Sequence, residues 1–153
     1  MRLSWNEIRA RAARFADRWQ TARYEKGETQ SFYNEFFRIF DKDRKAVARY
    51  EMSVARTGRA RGFIDLFWPR VLIVEQKSTG RDLSGAEQQA LGYLSDIADH
   101  EQPRHVLACD FQTFRLTDLE TRETVDFALR DLPDNVQHFA FILGRQRRQF
   151  RTQ

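Results

Sequence analysis

Apolar and polar positions follow a helical period through the first part of the chain. Between Ser4 and about Arg23, apolar residues recur every three or four positions, which predicts an amphipathic helix. The pattern Ser4-x-x-Glu7 is a capping box, in which each side chain satisfies a main-chain N–H of the first turn. A second helix is predicted over residues 30–40, and it should be largely buried because most of its sides are apolar or aromatic.

The pattern changes after the second helix. Residues 41–55 are expected to form a third helix or a mobile charged segment, and Gly58 and Gly62 bracket a basic loop. Residues 63–67 and 71–77 are rich in aromatic and β-branched side chains, which predicts two strands. Because the three residues between them are too few for a crossover, the strands should form an antiparallel hairpin around Pro69.

The second half of the chain combines helices with short strands. Ser84-x-x-Glu87 is expected to cap a helix that runs to about Asp99. The order of elements predicts an α/β (α+β) fold, with a mixed sheet flanked by helices. We expect one domain over residues 1–144 and the start of a linker to further domains over residues 145–153. The remaining predicted elements are strands at 105–110, 114–119 and 123–129 and a helix from Asn135 to about Leu143, stopped by Gly144.

Composition and charge narrow the functional classes. The 153 residues carry a net charge of +4, with arginines clustered in the first helix, at 56–61 and at 145–151, and such clusters attract phosphate backbones. A solvated basic face is the alternative. The lone Cys109 excludes an internal disulfide and favours a reducing compartment, so a cytoplasmic location is expected. No signal region and no run of about 18 apolar residues is present, so no membrane association is expected.

The predicted hairpin carries three charged residues in two otherwise apolar strands. Glu75 and Lys77 are two positions apart, so they point to the same face. With the turn centred near Pro69, Asp65 should face Ile73, and Glu75 should be its diagonal neighbour at roughly 7–8 Å. Two carboxylates so placed can share a Mg²⁺ ion, for which Mn²⁺ can substitute.

These residue types suit phosphodiester hydrolysis. A metal ion held by Asp65 and Glu75 would activate water and polarise a phosphoryl oxygen, while Lys77 would stabilise the developing negative charge or orient the water. The main-chain carbonyl of Gln76, which points sideways from the strand, is a further candidate ligand. The alternative is a plain salt bridge between Lys77 and either acid.

Three other residues are candidates for the same site. Glu35, in the phenylalanine-rich helix, is a candidate third metal carboxylate, or else an acid on the exposed edge of that helix. Gln89 and Tyr93 lie one helical turn apart on one face, and the family resemblance given below implies that such a pair braces the site or touches DNA. Tyr93 is alternatively a simple core residue.

Other chemistries lack their motifs. The chain has no phosphate-binding Gly-x4-Gly-Lys-Ser/Thr loop, no Gly-x-Gly-x2-Gly, no His-Glu-x2-His and no paired cysteines. The three histidines, His100, His105 and His138, have no familiar ligand spacing. A bound nucleotide, a structural zinc site or a Cys–His nucleophile is therefore not expected.

Six segments spread along the chain carry a resemblance to a known family: Trp5-Asn-Glu-Ile8, Phe32-Tyr-Asn-Glu-Phe-Phe37, Gly62-Phe-Ile-Asp-Leu-Phe-Trp-Pro69, Val74-Glu-Gln-Lys-Ser78, Asp110-Phe-Gln-Thr-Phe114 and Phe141-Ile-Leu-Gly144. They resemble the N-terminal nuclease region of the MmeI-like (type IIL) restriction–modification enzymes, of the PD-(D/E)xK nuclease superfamily. The resemblance spans nearly the whole chain, and Asp65, Glu75 and Lys77 match the family's D-x9-E-x-K pattern.

The resemblance implies a restriction-endonuclease-like fold and a metal-dependent DNA endonuclease. It also implies further domains in a longer polypeptide: a helical connector, an adenine methyltransferase using S-adenosylmethionine, and a target-recognition domain. Double-stranded DNA would be the substrate, its sequence would be recognised by the other domains, and a second copy would be needed to cut both strands. Two alternatives remain: a non-catalytic DNA-binding module with a nuclease-like fold, and a structural or protein-interaction domain in which the acids form a buried ion pair.

Overall fold

A computed structural model describes residues 3–23, 25–55, 62–80 and 82–144. Within these ranges one sheet contains six strands in the order β1 to β6, and every neighbouring pair is antiparallel except β3 and β4, which are parallel. The strands are β1 Arg49–Val54, β2 Gly62–Trp68, β3 Leu72–Gln76, β4 His105–Cys109, β5 Thr113–Asp118 and β6 Thr124–Ala128. The α-helices are α1 Trp5–Trp19, α2 Glu25–Ile39, α3 Arg44–Val47 and α4 Leu83–Tyr93.

Helices cover both faces of the sheet, which confirms the predicted α+β class with a mixed sheet. Helices α1 and α2 share one core cluster with Leu66, Val74 and Leu107, together with the C-terminal 3-10 helices at Leu129–Asp134 and Val136–Leu143. Helix α4 shares the other cluster with Ile73 and Val106. It connects the parallel strands β3 and β4, as parallel pairing requires. Every helix within the described ranges is too short or too polar to span a lipid bilayer.

Aromatic rings fill the larger core cluster. Phe36 is fully buried and packs edge-on against Phe139, with 5.0 Å between ring centroids. Phe114 stacks on Phe127 at 5.2 Å. These contacts join α2, the sheet and the C-terminal 3-10 helices in one aromatic core. The chain is rich in phenylalanine, with 13 residues, and this core is where such side chains are used.

The helix starts were predicted with mixed success. The capping box at Ser4 and Glu7 is present and begins α1. Helix α4 begins two residues earlier than predicted, because Asp82 rather than Ser84 is the N-cap, and its carboxylate accepts the Ser84 N–H at 3.0 Å. It also ends at Tyr93 instead of about Asp99, and the segment beyond it forms two short 3-10 helices.

Two predicted segments have a different structure. The third helix expected over residues 41–55 is confined to α3, and the rest of that segment is edge strand β1, paired with β2. The last predicted helix is a 3-10 helix, ended by Gly144 in the left-handed conformation at φ 75°. Most of the expected basic loop, residues 56–61, and the expected linker, residues 145–153, lie outside the described residues.

Candidate active site

The candidate site lies where β2 and β3 stop pairing. Their described register ends at Leu66 and Val74, and one residue further the Asp65 carboxylate accepts the main-chain N–H of Gln76 at 2.7 Å. Strand β3 remains paired with β4, since Lys77 N–H donates to the Cys109 carbonyl at 2.8 Å. Neighbouring residues of a strand direct their main-chain groups to opposite sides, so the Gln76 carbonyl points away from β4 and towards Asp65.

The register corrects one prediction about Asp65. Ile73 is paired with Phe67 rather than with Asp65. Continuing the register by one residue beyond Leu66–Val74 places Asp65 opposite Glu75. The two carboxylates are therefore direct neighbours on one face, closer than the expected diagonal arrangement.

The turn between the strands causes this shift. Val71 N–H donates to the Trp68 carbonyl at 3.0 Å, Pro69 occupies the second position, and Arg70 at the third has φ 70°. This combination is typical of a type II turn. The hairpin is consequently centred on Arg70 instead of Pro69. This shift moves the cross-strand partner of Asp65 by two positions, from Ile73 to Glu75.

The two acids form an electrostatically coupled pair. Burial raises the pKa of Asp65 above its ordinary value, and hydrogen bonds with Gln76 N–H and the Glu75 carboxyl group and the charge of Lys77 offset only part of that rise. Glu75 is buried, with 3% of its surface exposed. Two neighbouring carboxylates at a site with little water repel each other when both are charged, so a shared cation would be favourable there.

Lys77 is held against α4 by the two residues that were predicted to support it. Its ammonium group donates to Gln89 Oε1 at 2.9 Å, and Gln89 Nε2 lies 3.4 Å from the Tyr93 hydroxyl. Tyr93 is buried in the α4 core, whereas Gln89 is exposed. Tyr93 thus packs as a core residue and also contacts Gln89, while Gln89 fixes the lysine.

Glu35 does not join this group of charges, contrary to the expectation of a third metal carboxylate. Its carboxylate lies 3.0 Å from Arg18 Nη1 and accepts a hydrogen bond from Trp19 Nε1 at 3.4 Å, so it connects α2 to α1. Within the described ranges, no three His, Cys, Asp or Glu side chains converge to hold a metal ion.

The donor set at the break in the sheet nevertheless fits Mg²⁺. This ion is commonly bound through one or two carboxylates, with water and substrate phosphate completing its shell. Asp65 and Glu75 supply two carboxylates, and the Gln76 carbonyl points to the same side. All three are hard oxygen donors, whereas zinc or copper would favour nitrogen or sulfur.

A buried hydrogen bond between Tyr33 and the Gln76 side chain was not predicted from the sequence. The Tyr33 hydroxyl donates a hydrogen bond to the Gln76 side-chain carbonyl in the α1–α2 layer. Burial raises the pKa of Tyr33 and raises that of the neighbouring Cys109 thiol to about 12, so both stay protonated. The aromatic run around Tyr33 predicted burial but gave no sign of this contact.

Asp110 was also missed as a positioning residue. Its buried carboxylate accepts main-chain N–H groups from Gly80, at 3.2 Å, and from Thr113, at 2.8 Å. The Thr79 hydroxyl lies 3.0 Å from the carbonyl oxygens of Ala22 and Asp110. These bonds fix the segment that follows Lys77 to the connection between α1 and α2 and to the β4–β5 turn.

Strand β1 brings a further acid near the site. The β1–β2 register passes from Tyr50–Leu66 to Met52–Ile64, which places Glu51 beside Asp65. The charge of Glu51 contributes to the raised pKa of Asp65, after burial as the main cause. Glu51 has φ 52°, a conformation that residues other than glycine rarely adopt. Strand β1 was not predicted from the sequence, so Glu51 was not predicted as a neighbour of Asp65.

Comparison with known proteins gives one match. Residues 10–153 match the family model described as "MmeI, N-terminal domain". No curated protein matches the chain significantly, and no solved structure does.

Proposed function

Because the chain belongs to the MmeI N-terminal domain family, we propose that it is a Mg²⁺-dependent DNA endonuclease domain of the PD-(D/E)xK class. Membership associates the chain with restriction–modification enzymes. The observation that carries the nuclease proposal is the convergence of Asp65, Glu75 and Lys77 on one face, where β2 leaves β3. Glu75 is buried and Asp65 is half-buried, and two carboxylates so close together are costly unless a cation compensates their charge.

Each residue has a distinct task in this proposal. Asp65, Glu75 and the Gln76 carbonyl would hold the metal ion, with one Asp65 oxygen already fixed by the Gln76 N–H. When bound, the cation would neutralise phosphoryl charge and lower the pKa of a water molecule. The Lys77 ammonium group, oriented by Gln89, would stabilise negative charge that develops on the phosphate during hydrolysis.

Double-stranded DNA is the proposed substrate. Phosphate contacts and cleavage would take place on this chain, and sequence would be recognised by a target-recognition domain elsewhere in a longer polypeptide. S-adenosylmethionine would bind to the methyltransferase part of that polypeptide. Cutting both strands requires two such sites, so a second copy is the expected partner.

The test is a cleavage assay on supercoiled plasmid with Mg²⁺ or Mn²⁺, with EDTA as the metal-free control. The comparison is between the wild-type chain, Lys77→Ala, and Lys45→Ala as a matched control, since Lys45 is an exposed lysine on α3. We expect metal-dependent nicking or linearisation by the wild type and by Lys45→Ala, and its loss in Lys77→Ala. Cleavage that survives in Lys77→Ala would overturn the assignment.

A second measurement covers the case in which none of the proteins cleaves. Mn²⁺ is titrated into the wild type and Asp65→Ala by calorimetry. Binding that is lost in Asp65→Ala supports the metal site. If both proteins bind Mn²⁺ equally, or neither binds it, the metal site is wrong. Salt-dependent DNA binding together with either result would favour a non-catalytic DNA-binding module over a nuclease.

A further inference from the structure

A basic groove lies between α1 and α2. A groove of about 370 Å³ separates the two helices and is lined by Arg11, Arg14 and Arg18 of α1 and by Arg38 of α2, with Glu35 as its single acid. The helices pack on the face of the sheet opposite α4, which holds Lys77 through Gln89. The groove is therefore separate from the candidate active site.

The arginines of α1 form a row. Arg11, Arg14 and Arg18 follow one another at spacings of three and four residues, which places them on one helical face. A helix rises about 1.5 Å per residue, so the row extends over about 10 Å. Phosphates of one DNA strand follow at about 3.4 Å along the duplex axis, so the row matches the length of about three phosphates.

Within the described residues, acidic side chains neutralise only part of the charge of the groove. Arg18 is paired with Glu35 at 3.0 Å, and Arg11 donates to the Arg38 carbonyl at 2.9 Å and lies 4.0 Å from Asp41. In the part of the chain that the structure describes, the guanidinium groups of Arg14 and Arg38 form no ion pair, and both residues are exposed. Four arginines against the two acids that pair with them, Glu35 and Asp41, leave the groove with an excess of two positive charges.

Helix stability alone does not account for this arrangement. Cations in the last turn of a helix compensate its dipole, which accounts for Arg18 in α1 and Arg38 in α2. Arg11 and Arg14 lie in the middle of α1, where the dipole offers no such gain. An exposed row of guanidinium groups is instead suited to a regular series of phosphates, which arginine binds through paired hydrogen bonds.

We propose that the α1–α2 groove binds the phosphate backbone of duplex DNA, away from the bond that is cut. The choice of DNA as the polyanion rests on the proposed function. The groove would hold a segment of duplex other than the one at Asp65 and Glu75, independently of metal ions and of base sequence.

Fluorescence anisotropy measures the binding of the full chain to a fluorescein-labelled duplex. The buffer contains EDTA, so that no metal-dependent cleavage takes place. The variant Arg14→Gln/Arg38→Gln removes two groove charges. Arg9→Gln/Arg130→Gln removes two charges from exposed arginines outside the groove and is the matched control. With NaCl varied from about 50 to 200 mM, we expect the groove variant to bind more weakly and its salt slope to fall by about 1.8, or about 0.9 per lost phosphate contact.

The control variant should keep the wild-type salt slope, and circular dichroism should show that both variants are folded. Equal losses in both variants would overturn the groove, because net charge alone would then explain binding. Competition by poly-glutamate as strong as that by unlabelled duplex would overturn the assignment to phosphate and favour an acidic protein partner. The binding assay contains no metal ion and the cleavage assay requires one, so groove binding and cleavage can fail separately.

Discussion

The Asp65 carboxylate accepts the main-chain N–H of Gln76 at 2.7 Å, at the point where β2 no longer pairs with β3. A side chain here takes the place of a strand carbonyl, so the charge of Asp65 is fixed to the main chain of the residue between Glu75 and Lys77. The structural role of Asp65, as an acceptor, can therefore be separated from its proposed role as a negatively charged ligand.

Asp65→Asn should preserve the fold and abolish metal binding. The amide oxygen can still accept the Gln76 N–H, while the charge is lost, so we expect Mn²⁺ affinity and cleavage to fall by about 100-fold or more. Asp65→Ala removes the acceptor as well and should lower the free energy of unfolding by about 1–3 kcal/mol. Calorimetry and urea unfolding measure the two effects, and wild-type Mn²⁺ affinity in Asp65→Asn would contradict the role.

Gln89→Ala should slow cleavage without weakening DNA binding. The Lys77 ammonium group loses the acceptor that holds it at 2.9 Å, and the resulting misplacement should cost about tenfold in rate. Gln88→Ala is the matched control, because Gln88 is the adjacent exposed glutamine on α4. Single-turnover cleavage and anisotropy titration separate rate from affinity. A rate equal to that of Gln88→Ala would show that Lys77 needs no such support.

Tyr33→Phe should destabilise the chain more than Tyr50→Phe. The Tyr33 hydroxyl is fully buried and donates to the Gln76 side chain, so its loss leaves a buried acceptor without a donor and should cost about 1–3 kcal/mol. Tyr50 donates to the Gln30 carbonyl at 2.6 Å but is only partly buried, so water can replace its hydroxyl. Urea unfolding of both variants makes the comparison, and equal losses would refute the difference in burial.

Arg70→Gly should stabilise the hairpin. Arg70 has φ 70°, a strained conformation for any side chain with a Cβ atom, and glycine removes that strain. Part of the gain is lost because glycine makes the unfolded chain more flexible, so we expect about 0.5–1 kcal/mol in the free energy of unfolding. Arg70→Ala keeps the Cβ atom and should give no gain. A comparable increase in Arg70→Ala would trace the effect to the loss of charge.

Cys109 should be unreactive in the folded chain. Burial raises the pKa of its thiol to about 12, so at pH 8 only about one molecule in 10⁴ carries the reactive thiolate. Ellman's reagent should detect the thiol within minutes in concentrated urea and only slowly in buffer. Fast reaction in buffer would mean that the β4 core opens readily.

The sequence by itself determined the features that depend on local geometry. The Ser4–Glu7 capping box, the β2–β3 hairpin and the common face of Glu75 and Lys77 all follow from side-chain spacing within a few residues. The α+β class, with a mixed sheet flanked by helices, also followed from the order of the predicted helices and strands.

Only the tertiary structure decided which distant residues meet. Asp65 lies opposite Glu75 because Arg70 adopts a left-handed conformation, and Glu35 contacts Arg18 because α1 packs on α2. In β1, Tyr50, Met52 and Val54 alternate with polar residues, which is a local strand signal, but only the tertiary structure decided that this segment pairs with β2. Pairing energies between segments far apart in the chain override weak local preferences. The sequence could therefore suggest that Asp65 and Glu75 form a pair, but it could not predict their register.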